Sequence, residues 1–479
     1  MRVPAPDVIP PAGQLGRVHF IAIGGAGMSG IARILLDRGM AVSGSDAKDS
    51  PVLAGLRNLG ATVYAGHAAE QLGDADTVVV STAIRDHNPE LVEARRRGLR
   101  VLPRGAALAS LITGYRPVVV AGAHGKSTTT ALLATALRHC GADPSYAVGA
   151  QLDGPTSNAH HGAGELFVAE ADESDGSFLL LSPYAAIVTN VELDHSDYYA
   201  NADVVDKAFL AFAERIHPEG FLVACADDEG ARRLAASART RGVDVRTYGE
   251  DASADMCIQQ LELSGGGCSY QLVAQGQPVA SATTQVSVRI PGRHNALNGA
   301  AALTAGVGLG FPAAHLSAGI AEFFGARRRF EYQGSAAGVR VYDDYAHHPA
   351  ELAATLRSAR LVAGKGRIVA VFQPHLYTRT AKFWKEFAQA LGLADVVVVM
   401  EVYAAREDPI PGVTGDWIAK AVPLSSERVV FEPAWSAVSR RVRETVQSGD
   451  LVITLGAGDV TLIGPELLAL LNVSHAPDR

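Results

Sequence analysis

The chain has 479 residues, and its 42 Lys and Arg against 50 Asp and Glu give a formal net charge of −8. This length predicts about three domains, and a composition of 48% hydrophobic and 19% charged residues is typical of a globular protein. The acidic balance, without a basic tail, argues against nucleic acid or a membrane surface as a partner. Residues 1–16 lack the apolar core of a signal peptide, and no later apolar run approaches the length of a membrane span, so we expect a cytoplasmic protein.

The first part of the sequence alternates short apolar runs with helical patterns. Strands are predicted at 17–23, 41–45 and 77–81, and helices are predicted from the glycine-rich segment at 24–30 to about 39 and around 90–97. Repeated β-α-β units of this kind predict a parallel, doubly wound sheet.

The strand and helix pattern restarts after residue 113 and again after residue 325. In the middle region we predict strands at 118–120, 165–170 and 184–189, a helix from 126 to about 139, a meander over 254–289 and a closing helix after 294. In the last region we predict strands at 339–344, 367–372, 395–399 and 451–455. The resulting domains are residues 1–112, 113–324 and 325–479.

A phosphate loop is predicted where the middle region begins. Gly122-Ala123-His124-Gly125-Lys126-Ser127-Thr128 follows an apolar run and opens a helix. Backbone N–H groups, the helix N-terminus and the Lys126 ammonium can therefore converge on a triphosphate, with Ser127 reaching Mg²⁺. The spacing is shorter than the standard Walker pattern, and the alternative interpretation is a plain glycine turn between strand and helix.

A second glycine loop lies near the N-terminus, in Gly25-x-Gly27-x-x-Gly30, and Asp46 ends the following strand. This pattern resembles the dinucleotide fingerprint, in which a helix N-terminus faces a pyrophosphate. The same geometry serves a UDP-sugar, and a second nucleotide loop at Lys126 makes a dinucleotide redundant. The structural alternative is that the glycines only allow close packing of helix on sheet.

Two groups of polar residues follow predicted strands of the middle region. One is Glu170-Ala-Asp-Glu-Ser-Asp175, and the other ends in Asp194-His195. Carboxylate oxygens and an imidazole suit Mg²⁺ that bridges phosphates, which favours Glu170 and His195 as ligands. Taken singly, Asp172, Asp175 and Asp194 are better explained as helix caps in a solvated loop.

Further polar clusters stand at predicted helix starts and strand ends, where ligands bind in open α/β sheets. They are His294 and Asn295, which can read an adenine edge or act as caps, the arginine run at 327–329, and the segments 343–349 and 372–379.

Together these motifs resemble the Mur ligase family over nearly the whole chain after about residue 16. The matching segments are Gly-Gly-Ala-Gly-Met-Ser-Gly at 24–30, Ala-His-Gly-Lys-Ser-Thr-Thr-Thr at 123–130, Glu-Ala-Asp-Glu-Ser-Asp at 170–175, Arg-Arg-Phe at 328–330, Asp-Asp-Tyr-Ala-His-His-Pro at 343–349 and Phe-Gln-Pro-His at 372–375. The resemblance implies a three-domain α/β protein with a Rossmann-like N-terminal domain, a central P-loop ATPase-like domain and a Rossmann-like C-terminal domain. It also implies ATP-dependent amide formation in peptidoglycan precursor synthesis.

The resemblance further implies substrates, cofactors and residue roles. The implied substrates are UDP-N-acetylmuramate and L-alanine, and the implied cofactors are ATP and Mg²⁺. We expect a monomer or homodimer. The implied roles are phosphate binding by residues 122–128 and Arg329, metal binding by Ser127, Glu170 and His195, adenine recognition by His294 and Asn295, UDP-sugar binding by Gly25, Ala26, Gly27, Met28 and Ser29, and amino-acid binding by Tyr345, His347 and Arg379.

Some positions depart from the common family pattern. Ala123 stands where many members have Thr, Ser127 replaces a common Thr, and Leu376 replaces a frequent Arg. Glu173 competes with Glu170 as the metal ligand, and Lys207 is a candidate for the carbamylated lysine of other members.

Two other functions remain open from the sequence. The first is a recycling ligase that attaches a ready-made tripeptide to the same UDP-sugar, although Glu-Ser-Asp-Gly-Ser-Phe at 173–178 fits the alanine branch better. The second is a P-loop nucleotide switch whose first domain binds a regulatory dinucleotide.

Overall fold

The computed structural model describes residues 3–150, 152, 158–193, 198–275, 283–405 and 407–473. The chain divides into two compact units, and we describe each by itself. The large unit comprises Met1–Leu261, Tyr270–Ser287 and Leu297–Phe323, and the small unit comprises Glu262–Ser269, Val288–Ala296 and Phe324–Arg479. Among the helices of the described ranges, none is long and apolar enough to cross a membrane.

The first sheet of the large unit is a five-stranded parallel sheet in the order β3-β2-β1-β4-β5. Its strands are β1 (Val18–Ile21), β2 (Val42–Asp46), β3 (Thr62–Ala65), β4 (Thr77–Val80) and β5 (Arg100–Pro103). Its helices are α1 (Ala26–Asp37), α2 (Pro51–Asn58), α3 (Pro89–Arg96) and α4 (Arg104–Ile112). The strand order reverses beside β1, as in a Rossmann-like fold, which confirms the predicted fold class.

Alternating side chains of this sheet supply a core on each face. Phe20 and Val79 pack in the same cluster as Ile31 of α1, whereas Ile21 and Val78 belong to the cluster on the α3 side. Helix α3 begins where the sequence favours it, because Pro89 occupies the first turn and the Asn88 side chain accepts from two backbone N–H groups.

The second sheet of the large unit has ten strands in the order β15-β14-β13-β12-β11-β10-β6-β9-β7-β8. They are β6 (Arg116–Ala121), β7 (Ser145–Ala147), β8 (Ala159–His160), β9 (Leu166–Glu170), β10 (Ala185–Val188), β11 (Phe221–Cys225), β12 (Asp244–Gly249), β13 (Met256–Ser264), β14 (Gly267–Ala274) and β15 (Thr283–Val288). The predicted meander is β13 to β15 at one edge. The helices are α5 (Lys126–His139), α6 (Ala202–Ala213), α7 (Glu229–Thr240), α8 (Arg293–Gly308) and α9 (Ala313–Ile320). The segment 262–269 at the junction of β13 and β14, and the start of α8 up to Ala296, are counted with the small unit.

The small unit contains a six-stranded sheet in the order β16-β17-β21-β18-β19-β20, parallel except for the β16–β17 hairpin. Its strands are β16 (Glu331–Ala336), β17 (Val339–Asp344), β18 (Ile368–Phe372), β19 (Val396–Met400), β20 (Val429–Glu432) and β21 (Leu451–Leu455). Its helices are α10 (Pro349–Ala363), α11 (Tyr377–Leu391), α12 (Gly415–Ala421), α13 (Trp435–Thr445) and α14 (Ile463–Val473). Strands β18, β19 and β21 are buried along their whole length, which explains their continuous apolar runs.

Candidate active site

The predicted phosphate loop connects β6 to α5 at the carboxyl edge of the ten-stranded sheet of the large unit, between the ends of β9 and β10. Gly122 has φ 132° and Gly125 has φ 82°, so both adopt backbone conformations that favour glycine. A Cβ at Gly122 would also collide with the Thr189 hydroxyl, and one at Gly125 would lie 2.6 Å from Asn298 Oδ1. The loop is therefore shaped by its neighbours as well as by its own sequence.

Residues just after β10 hold this loop in place. The backbone N–H of His124 donates to Asn190 Oδ1 at 2.9 Å, and the carbonyl oxygen of His124 accepts from Thr189 Oγ1 at 2.6 Å and from Asn190 Nδ2 at 3.0 Å. Sequence reasoning did not assign Thr189 and Asn190 this role. Their position directly after a strand adjacent to β6 was the available signal.

Lys126 lies beneath the loop, with a side chain that is 15% exposed. Its Nζ donates to the carbonyl oxygens of Gly122 at 2.6 Å and Ala123 at 3.1 Å, and to Glu173 Oε1 at 2.9 Å. Burial by itself lowers the pKa of Lys126, but the carboxylates of Glu173 and Glu170 outweigh it and the pKa is raised. Lys126 is therefore a charged ammonium at the helix N-terminus, and this positive charge favours the binding of a phosphate group.

The structure brings two of the predicted metal ligands together. Ser127 Oγ donates to Glu170 Oε1 at 3.0 Å, and the other carboxylate oxygen of Glu170 accepts from Gly149 N at 2.6 Å. Thr128 is buried in the same helix. The third predicted ligand, His195, lies outside the described residues. Lys207, the candidate for carbamylation, is exposed on α6.

An ion pair links the first sheet to the segment after β9. The guanidinium of Arg104, at the start of α4, makes a close contact with the Asp172 carboxylate. Burial opposes ionisation of Asp172, but Arg104 and the hydrogen bond from Ser174 outweigh it and lower the pKa of Asp172 to about 2. The same guanidinium fills the space above Gly27, where an added Cβ would lie 2.7 Å from Nη1.

The N-terminal glycine loop precedes α1 as predicted. Gly25 and Ala26 are exposed, whereas the side chains of Met28 and Ser29 point inward and are buried. Gly24 N donates to Asp46 Oδ2 at 2.8 Å, so the acid after β2 supports the loop. The free face of the loop therefore consists of backbone groups at the start of a helix, which favours an anionic ligand.

In the small unit, Tyr345 and His347 lie together after β17. Their rings pack edge to face with centroids 5.1 Å apart, and His347 Nδ1 lies 3.0 Å from the Tyr345 carbonyl oxygen. The guanidinium groups of Arg328 and Arg329 lie 4.8 and 5.4 Å from the centre of the Tyr345 ring. The two motifs 328–330 and 343–349 are therefore one cluster.

The charges in this cluster are strongly coupled. Burial, and then the Arg329 guanidinium, lower the pKa of His294 to about 4, so its imidazole is neutral at pH 7. Burial raises the pKa of Asp344 to about 6, although Arg329 opposes the shift.

Asn295 is buried, and its amide donates to the Pro291 carbonyl oxygen at 2.9 Å. Arg379 lies in the first turn of α11 and is buried, and Leu376 precedes that helix with φ 70°.

Three family models match the chain in order. The Mur ligase family catalytic domain matches residues 17–116, the Mur ligase middle domain matches 120–306, and the Mur ligase glutamate ligase domain matches 328–458. The chain belongs to the Mur ligase family.

Curated relatives narrow the comparison to one type of ligase. The UDP-N-acetylmuramate–L-alanine ligase of Acidothermus cellulolyticus is 54% identical over 96% of each chain. That of Saccharopolyspora erythraea is 55% identical over 95% of this chain and 93% of its own.

Solved structures agree with this relationship. A UDP-N-acetylmuramate-alanine ligase from Thermotoga maritima superposes with a TM-score of 0.81 at 28% identity, covering 96% of this chain and 99% of its own. A murein peptide ligase from Psychrobacter arcticus gives a TM-score of 0.73 at 23% identity, covering 95% of this chain and 99% of its own, and therefore supports the fold alone.

Proposed function

We propose that this protein is an ADP-forming ligase that joins L-alanine to the carboxylate of UDP-N-acetylmuramate, in peptidoglycan precursor synthesis. The observation that supports the chemistry is the phosphate loop, with a charged Lys126 beneath it and the Ser127–Glu170 oxygen pair beside it. The substrates are those named for relatives that are 54% and 55% identical over nearly the whole chain.

The reaction proceeds in two steps. A carboxylate oxygen of the muramate attacks the γ-phosphorus of ATP, the bond to the bridging oxygen breaks, and ADP leaves with the electron pair. The amine of alanine then attacks the acyl carbon, phosphate leaves, and the nitrogen loses a proton. Loop N–H groups and Lys126 neutralise the phosphate charge, so positioning and electrostatics supply most of the rate.

The donor set beside the loop fits Mg²⁺, which prefers oxygen ligands. Ser127 and Glu170 would hold it together with His195, and the bound ion would neutralise charge on the phosphates. Glu170 suits this role better than Glu173, because the Glu173 carboxylate is engaged by the Lys126 ammonium. We expect Glu170→Gln to raise the Mg²⁺ concentration needed for half-maximal rate, whereas Glu165→Gln, at an exposed pair with Arg116, leaves it unchanged.

The remaining roles follow the resemblance to the Mur ligase family. Gly25 to Ser29 would bind the UDP diphosphate, Arg329 the γ-phosphate, and His294 with Asn295 the adenine. Tyr345, His347 and Arg379 would bind alanine. We further propose the domain division 1–112, 113–324 and 325–479, and a cytoplasmic location.

The test is ADP release from ATP with UDP-N-acetylmuramate and a panel of acceptors. We expect turnover with L-alanine to exceed that with other amino acids and with the L-alanyl-D-glutamyl-diaminopimelate tripeptide. Preferred use of the tripeptide would identify a recycling ligase. ATP hydrolysis that no acceptor stimulates would favour a nucleotide switch.

A further inference from the structure

A buried carboxylate in the first sheet of the large unit is used by no step described above. Glu90, the second residue of α3, has a side chain that is 0% exposed. Its Oε1 lies 3.1 Å from His19 Nε2. Its Oε2 accepts from Ser45 Oγ at 2.6 Å and lies 2.9 Å from His67 Nδ1. The amide nitrogen of Gln71, oriented to satisfy its neighbours, donates to Oε1 at 3.0 Å.

These contacts determine which nitrogen of His67 carries the proton. Glu90 is ionised and only accepts, because its hydrogen bonds lower its pKa despite the burial that opposes them. Ser45 donates its proton to Glu90, so its oxygen can only accept from His67 Nδ1, which lies 2.8 Å away. Both neighbours of Nδ1 are therefore acceptors. Neutral His67 must carry its proton on Nδ1, which leaves Nε2 as an acceptor.

His67 lies at the edge of the sheet where the nucleotide is expected. It follows the end of β3 by two residues, and Gly66 N donates to the Asp46 carbonyl oxygen at 2.7 Å. Asp46 in turn supports the glycine loop through Gly24. The His67 side chain is 19% exposed, and its Nε2 makes no hydrogen bond with the described ranges. In Rossmann-like sheets the phosphates lie at the first loop and the ribose at the acid after β2. We infer that the base lies one strand further on, beside the residues that follow β3.

We propose that His67 accepts the N3–H of the substrate's uracil through Nε2, and that Glu90 is the positioning residue that fixes this tautomer. The identity of the base rests on the proposed function. The arrangement of Glu90, Ser45 and His67 does not.

This assignment makes His67 a selector between pyrimidines. Uracil presents an N–H donor at N3, which an unprotonated Nε2 can accept. Cytosine presents an unprotonated N3, so two lone pairs would face each other. A site built for one donor leaves its own acceptor unpaired with the wrong base, which costs about tenfold or more in kcat/KM.

The decisive variant is Glu90→Gln. The Gln oxygen can continue to accept from His19 and Gln71, which places its NH₂ group toward Ser45 and His67. Nδ1 then becomes the acceptor and Nε2 carries the proton, which suits cytosine. We expect the ratio of kcat/KM for UDP-N-acetylmuramate to that for CDP-N-acetylmuramate to fall by about tenfold or more, with KM for ATP unchanged. The matched control is Glu93→Gln on the same helix, because the Glu93 carboxylate accepts two hydrogen bonds from the exposed Arg96.

Two further measurements test the proposal independently of whether Glu90→Gln folds or is active. His67→Ala, at a partly exposed position, should bring the ratio close to one even if Glu90→Gln does not fold. Imidazole ¹⁵N NMR of the substrate-free full chain, with His67 assigned by its loss in His67→Ala, should show a protonated Nδ1 that moves to Nε2 in Glu90→Gln.

A wild-type ratio near one, a Glu90→Gln ratio equal to that of Glu93→Gln, or a protonated Nε2 in the wild type would overturn the proposal. A wild type that uses no UDP-N-acetylmuramate would instead refute the proposed function, while the NMR result would still decide the tautomer.

Discussion

Loss of charge at Glu173 should loosen the phosphate loop far more than loss of charge at a surface acid. The Lys126–Glu173 pair has an N–O distance of 2.9 Å, and the two side chains are 15% and 5% exposed. Removing one partner of a buried ion pair costs about 3–5 kcal/mol, since the other charge is left uncompensated. Glu173→Gln keeps an oxygen that can accept from Nζ, so we expect a smaller cost of about 2–3 kcal/mol.

The measurement must follow the local stability of the ten-stranded sheet, which carries the phosphate loop. All three tryptophans, Trp384, Trp417 and Trp435, belong to the small unit, so their fluorescence would follow the wrong part of the chain. Hydrogen exchange of peptides from β6 and α5, read by mass spectrometry, gives the local opening free energy directly.

The control is Glu165→Gln, which breaks the Arg116–Glu165 pair whose side chains are 38% and 70% exposed. Exposed pairs contribute about 0–1 kcal/mol, so protection of the same peptides should change little. The double variant Lys126→Met/Glu173→Gln should recover part of the loss, because no unpaired charge remains. Equal losses for Glu173→Gln and Glu165→Gln would refute the argument that burial makes this pair important.

Three further predictions follow from the site. Lys126→Ala should abolish positional isotope exchange in ¹⁸O-labelled ATP, because the lysine serves the transferred phosphoryl group. The affinity for the UDP-sugar, measured by calorimetry, should stay within about twofold of the wild type. Normal exchange in the variant would contradict this role. Arg379→Ala should raise KM for alanine by about tenfold or more and leave the exchange intact, because a guanidinium is suited to the alanine carboxylate; an unchanged KM would remove Arg379 from the site. The pKa of Asp172 falls from 3.8 to about 2 in the folded state, so its stabilisation is present above about pH 4 and is lost as the pH falls toward 2. Because Asp172 is partly exposed, Arg104→Ala should lower the free energy of unfolding above about pH 4 by about 1–2 kcal/mol, measured by urea titration at several pH values. If the pH dependence of the unfolding free energy is unchanged in the variant, the ion pair is not its source.

Many strands and helices of the fold could be predicted from local sequence patterns. The strand predicted at 339–344 is β17, the one at 451–455 is β21, and the helix predicted from 126 to about 139 is α5. Continuous apolar runs are reliable where a strand is buried on both faces. Short strands such as β3 were not predicted, because only one of its four residues is buried.

Contacts between segments far apart in sequence were beyond such reasoning. Ser127 and Glu170 could be paired because Glu170 ends β9 and Ser127 lies in the loop-to-helix segment after the neighbouring strand β6. In contrast, the local pattern explains Asp172 as a cap within its own loop, where its carboxylate accepts from Ser174 N, but it does not indicate the pairing with Arg104, 68 residues away. Glu90 falls at the start of the helix predicted around 90–97, and the local pattern does not indicate its partners His19 and Ser45, which lie 71 and 45 residues before it. Periodicity shows which residues are buried, but it does not show which distant polar group they meet.

The Arg104 guanidinium has a consequence for how this chain can vary. It occupies the space above Gly27 and also pairs with Asp172. A residue larger than glycine at 27 would displace it and so disturb a segment that is 145 positions away in the chain. Positions 27, 104 and 172 are therefore coupled, because a Gly27→Ala change requires the flexible end of Arg104 to shift and so alters its pairing with Asp172.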